Sequence, residues 1–319
     1  AARIEGRDLR VSTQGAAATL TVQSVGLQRV APEARMLERG ERWTLFAANL
    51  QVAQDDVAWT LPRLQLDTWD NALRLRTDRF ALQPINTILT AQDAFTSSVR
   101  EVFAALQPRG DVSALQLRIG DVFHAADDWQ LEANFADVSL ESLHGAPGAT
   151  AATGYTRLTP GGGVVILDAR GMSLDFPSVY REPLLFDELH GSLHLDWDAQ
   201  RVRLASGLLT TQGAEGTAKV LFALNIPLQA DDIGIEMDLL VGLQDTHPVH
   251  RGKFIPYILD PTLLTWLSES IGEGVIEQGA FLWRGSLRTG ATPLHTVQLA
   301  FNVADTQLRY HRAWPPVLV

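Results

Sequence analysis

Ile233-Gly-Ile-Glu-Met-Asp-Leu-Leu-Val-Gly-Leu243 is the stretch that decides the fold. Ile233, Ile235, Met237, Leu239, Val241 and Leu243 recur at every second position, with Asp232, Glu236 and Asp238 on the opposite face. A period of two is the mark of a strand with one buried face. An unbroken run of this kind predicts a strand roughly 36 Å long, well beyond the usual ~5–6 residues. Its neighbours repeat the pattern. Val220, Phe222, Leu224 and Ile226 share one face, and Leu189, Leu193, Leu195 and Trp197 alternate with His190, Ser192, His194 and Asp196.

The same period runs through the first 83 residues, where Leu64 and Leu66 alternate with Arg63, Gln65 and Asp67. Leu115, Leu117 and Ile119 predict one further strand, and Trp129, Leu131, Ala133 and Phe135 another. Two segments change period. After Pro84, the residues Ile85, Ile88, Phe95, Val99, Val102, Phe103 and Leu106 recur at helical spacing, predicting an amphipathic helix over 84–106. Asp260-Pro261 is an N-cap followed by proline at the first helical position, and Leu263, Leu264, Leu267 and Ile271 predict a second helix over 261–271.

The fold class read from these patterns is mainly β. We expect a long, twisted antiparallel sheet forming an elongated apolar groove, with two amphipathic helices. The Gly/Ala/Thr-rich residues 145–163, ending in Gly161-Gly-Gly163, read as a loop or joint. They divide a first β-groove segment, 1–144, from a second, 164–319. The chain reads as one continuous fragment of a longer protein.

Composition removes several function classes. The formal net charge of −11 opposes nucleic-acid binding, which needs clustered Lys and Arg. Without cysteine there are no disulfides or thiolate sites. No apolar run is long enough for a transmembrane helix. Gly161-Gly-Gly163 precedes a strand rather than a helix, so it reads as a turn and not as a phosphate cradle. His190 and His194 share the polar face of one strand with Asp187 and Asp196 nearby, but no third ligand has suggestive spacing. His247 and His250 fail in the same way. Trp-Asp at 69–70 and 197–198 shows no blade period. We therefore expect no catalytic residues, no metal and no cofactor.

What remains is the apolar face. Its candidate lining residues are Leu193, Leu195, Val220, Phe222, Leu224, Ile233, Ile235, Met237, Leu239 and Val241. A strand-length apolar face is either covered by a second layer or holds a ligand. A trough of that length suits an acyl chain. A closed β-sandwich, acting as scaffold or protein-binding module, would show identical alternation.

A set of spaced motifs covers roughly residues 150–316: Leu174-Asp-Phe-Pro177, Phe186 to Trp197, Phe254-Ile-Pro-Tyr257, Leu263-Leu-Thr-Trp-Leu267, Gly272 and Gly274, Trp283-Arg-Gly285, and Trp314-Pro315. Together they resemble the YhdP branch of the AsmA-like family. Ala291-Thr-Pro-Leu294 departs from the family pattern after the Trp-x-Gly strand. The resemblance implies a protein of the Gram-negative periplasm, anchored in the inner membrane in its full-length form. It implies a β-groove that carries phospholipid acyl chains between inner and outer membrane, supporting outer-membrane lipid homeostasis. Phospholipid and, through other parts of the protein, the two membranes are the implied partners.

Overall fold

The computed structural model describes residues 3–12, 18–30, 42–54, 57–84, 103–143, 146–213, 216–229, 233–246, 253, 255–270, 272, 274–287, 295–309, 311 and 313–318. Two compact units emerge, Ala1–Leu140 with Thr153–Gly163, and Glu141–Ala152 with Val164–Val319. The strands β8 (Gly148–Thr159) and β9 (Gly162–Asp175) contribute to both.

The first unit contains β1 (Arg3–Ser12), β2 (Ala18–Val30), β3 (Arg42–Gln54), β4 (Val57–Trp69), β5 (Ala72–Ala81), β6 (Arg109–Ile119) and β7 (Trp129–Leu140). Each pairs antiparallel with the next, a plain meander. Directly paired residues share a face, so the register turns the alternation of each strand into rows. Leu45, Leu66, Leu75, Leu117 and Leu131 form one apolar row. Ala47, Leu50, Leu61, Phe80, Val112 and Ala133 form the buried cluster, and Trp59, Leu64, Leu82, Leu115 and Leu131 pack on it. The other face is polar. Gln65, Arg76, Gln116 and Glu132 pair in sequence across four strands, and Arg76 donates to Gln116 at 3.2 Å.

The second unit contains β10 (Leu184–Trp197), β11 (Arg201–Ser206), β12 (Leu209–Gly213), β13 (Gly216–Pro227), β14 (Glu236–Thr246), the helix α1 (Pro261–Ser270), β15 (Val275–Ser286) and β16 (Thr296–Ala304). β11 and β12 lie side by side along the chain, and both are flanked by β10 and β13. β13, β14, β15 and β16 then follow in order, all antiparallel. A short pair, β17 (Gln307–Leu308) with β18 (Val317–Leu318), completes the unit.

The fold is mainly β and antiparallel, as the alternation predicts. Three local expectations change. The long strand starts at Glu236 rather than Ile233, because Gly234 adopts a left-handed φ of +72° that breaks the extended run. It remains 11 residues long, since it continues to Thr246. The stretch 145–163, expected as a loop, is largely strand, with β8 and β9 joined by a turn at 160–161. Its small residues carry little strand signal of their own. The turn at Pro160-Gly161 is the part of the expectation that the structure keeps. The helix expected over 84–106 lies mostly outside the described residues; residues 103–106 are helical, and Gln107 N–H donates to the Phe103 carbonyl at 3.0 Å. Among the described residues no helix is long and apolar enough to cross a membrane.

Both Trp-Asp pairs sit at hairpin ends. The Asp198 carboxylate accepts from Gln200 N–H at 2.8 Å and Arg201 N–H at 2.9 Å. These bonds hold its carboxyl below the usual range. This is Asx-turn chemistry.

Candidate functional site

In the second unit the register aligns apolar side chains across the strands. Leu195, Leu204, Leu224 and Met237 form one row. Phe222, Leu239, Trp283 and Val297 form the next, and Phe222 N–H donates to the Ser206 hydroxyl, which lies opposite Leu193. Leu209, Val220, Val241, Phe281 and Leu299 make a third. Leu189, Thr211, Ala218, Leu243, Gly279 and Phe301 make a fourth.

These rows form one continuous apolar face. Leu193, Leu195, Val220, Phe222, Leu224, Met237, Leu239 and Val241 all fall on it. Ile235 lies just before β14, where its carbonyl accepts from Leu287 N–H at 2.8 Å. Ile233 stands off the strand and is 55% exposed. Residues of β15 and β16 complete the face: Phe281, Trp283, Val297, Leu299 and Phe301. Their alternation is present in the sequence, where Phe281 and Trp283 fall within the strand-like run Gly279–Gly285.

The depth of the face varies. Leu224, Met237 and Trp283 are each 3% exposed, whereas Leu193, Leu195, Val220 and Phe222 are half-buried. Among the described residues the long strands of the unit all belong to one hydrogen-bonded sheet.

Charge sits on the opposite face. Arg284 pairs with Asp238 at 2.8 Å and Asn225 donates to Glu236 at 2.8 Å. His190 meets Asp168 through Nδ1 at 2.9 Å, and Arg170 meets Glu188 at 3.6 Å. This is an ion-pair cluster on a solvated surface. Among the described residues no group of three His, Asp or Glu converges to hold a metal. His247 and His250 lie outside the described residues.

At one end of the face β14 passes to β15 through the connection that carries α1. Thr246 and Ile276, paired at that end, are 2% and 4% exposed. The separated motif pieces meet here. Tyr257 N–H donates to the Val179 carbonyl at 3.0 Å and its hydroxyl to the Pro177 carbonyl at 2.7 Å, 80 residues away. Arg181 lies over the Tyr257 ring at 5.8 Å, and Lys253 over Phe186 at 5.2 Å while donating to the Leu185 carbonyl. Burial lowers the Lys253 pKa. Pro256, Val179 and Leu259 are buried.

The helix is capped as its sequence predicts. Asp260 accepts from Thr262 N–H at 2.8 Å and Leu263 N–H at 3.3 Å. Its far end is tied down by Arg309 N–H donating to the Ser270 carbonyl and Gly272 N–H to the Gln307 carbonyl, both at 2.8 Å. Leu267 is buried and Trp266 half-buried. Gly274, at a φ of +143°, packs so closely on Thr306 that a Cβ there would lie 2.1 Å from its hydroxyl. The motifs around Pro177, Tyr257, Leu267 and Gly274 therefore contribute to a packed cap, whereas Trp283-Arg-Gly285 lies along β15 opposite Leu239, Asp238 and Met237. Phe254, Ile271 and 291–294 lie outside the described residues.

No curated protein and no solved structure matches the chain. The family model described as YhdP protein matches residues 2–319. A match over nearly the whole length shows that the chain belongs to the YhdP family.

Proposed function

We propose that this chain is a segment of a periplasmic bridge that carries phospholipid between the inner and outer membranes. Acyl chains lie on the apolar face of β10 to β16, and the headgroup stays in water. The observation that supports this most is the face itself. It is continuous across the strands, is half-buried at Leu193, Leu195, Val220 and Phe222, and is carried by strands that all belong to one sheet. A scaffold built as a closed sandwich would instead need two separate sheets packed face to face. Membership in the YhdP family, a family of envelope proteins, supports the lipid reading. In this reading the protein acts as a conduit.

Native mass spectrometry of the purified chain, followed by solvent extraction, tests this directly. We expect phospholipid to co-purify, or to load after incubation with phosphatidylethanolamine vesicles. Protein that stays lipid-free after that incubation would overturn the reading.

A further inference from the structure

The apolar face of the first unit carries two buried polar atoms, on Thr77 and Trp59, that stand out among the described residues. The Thr77 hydroxyl and the Trp59 indole N–H are buried and have no hydrogen-bond partner among the described residues. Thr77 is 6% exposed and pairs with Leu64 on one side and Leu115 on the other, both packed on the buried cluster. Trp59 stands edge-on to Phe80 at a centroid distance of 5.5 Å, and Phe80 follows Thr77 by three residues on β5.

Buried polar atoms are ordinarily paired, and the exceptions point to a role. Valine matches threonine in shape and suits an apolar strand face better. Retaining threonine there costs stability unless the hydroxyl finds a partner when the protein works. The indole can only donate, and the hydroxyl is free to do so. The partner must therefore accept hydrogen bonds while its body tolerates leucine, phenylalanine and valine. A free carboxylate does not fit, because burying an anion among the leucine, phenylalanine and valine side chains of the cluster is costly. A neutral ester carbonyl on an acyl chain does.

We infer that Thr77 and Trp59 bind the ester carbonyls of a glycerophospholipid whose acyl chains lie on this face, making the first unit selective for ester-linked over ether-linked lipid. The inference rests on the lipid-conduit reading and adds a recognition site in the unit where that reading names none.

The test uses the purified chain and two phosphatidylethanolamines of equal chain length, one with two ester linkages and one with two ether linkages. Competition is read by native mass spectrometry. The wild type should favour the diester by about tenfold, the value of one ordinary hydrogen bond. Thr77→Val and Trp59→Phe should each reduce that preference while still capturing both lipids. Thr77→Ser, which keeps the hydroxyl, should retain it. Thr77→Val should fold at least as well as wild type by circular dichroism. Equal capture of both lipids by the wild type, or an unchanged preference in Thr77→Val, would overturn this inference and leave the conduit intact. Capture of neither lipid would overturn both.

Discussion

Tyr180 shows how closely the cap is packed. Burial of its side chain pushes the phenol well above its ordinary value near 10. Below about pH 10 both folded and unfolded chains keep the proton, so the group does not tilt the balance. Above it the unfolded chain releases the proton more readily than the folded one, and stability falls as pH rises. Denaturation midpoints measured from pH 9 to 11 should therefore drop in the wild type and drop less in Tyr180→Phe. Asp260 works in the opposite direction. Hydrogen bonds from the Thr262 side chain and from the N–H groups of Thr262 and Leu263 hold its carboxyl below the usual range. Its contribution is present above the ordinary value near 3.9 and is lost as pH falls through the lowered one. Asp260→Ala should remove this acid dependence, seen as earlier fraying of α1 in hydrogen exchange at neutral pH. The Asp260-Pro261 cap was legible in the sequence because capping is local chemistry. The burial of Tyr180 was not, since no period or spacing marks the segment between β9 and β10.

At the scale of elements, alternation predicted the strands that carry large apolar residues and failed where it had none to use. β13 and β14 were readable because Val220, Phe222, Leu224, Met237, Leu239 and Val241 carry the period. β8 was not, because Gly148-Ala-Thr-Ala-Ala-Thr-Gly154 has no bulky side chain to alternate, and pairing decides its conformation. Ile233 fits the period yet leaves the strand, because one left-handed glycine outweighs a side-chain pattern. The motif pieces of the cap were visible as words without a grammar. That Tyr257 would bond the Pro177 carbonyl depends on chain paths that spacing does not encode. The helix in that cap is docked through Leu267, which is 2% exposed. Leu267→Ala should cost about 2–5 kcal/mol, because a buried leucine leaves a cavity behind. Thermal melting should fall accordingly. An unchanged melt would show that α1 stands away from the rest of the unit.

At the scale of the molecule, the question is whether the apolar face of the second unit meets lipid or only itself, and two positions on that face answer differently. Met237 is 3% exposed, between Leu224 on one strand and Gly285 on the other. An aspartate there would be buried without a partner, and removal of a charge from water is costly against a whole-domain stability of ~5–15 kcal/mol. Met237→Asp should therefore unfold the unit whatever the face binds. Phe222 is half-buried and lies across from Leu239 in the next row. If the face is an open trough, a carboxylate at Phe222 reaches water and the fold survives. The same carboxylate stands where an acyl chain must pass, so lipid capture should fall at least tenfold, the equivalent of ~1.4 kcal/mol. Leu↔Met exchanges at neighbouring positions should change little, because a fluid chain repacks around them and the volume is kept. Circular dichroism and lipid crosslinking on Phe222→Asp separate the alternatives. A folded variant that no longer crosslinks lipid supports the conduit. An unfolded variant means the face is closed on itself, as in a scaffold. A folded variant that still takes up lipid at the wild-type level means that the acyl chains travel over a different surface, and the apolar face of the first unit, with Thr77 and Trp59, becomes the one to interrupt.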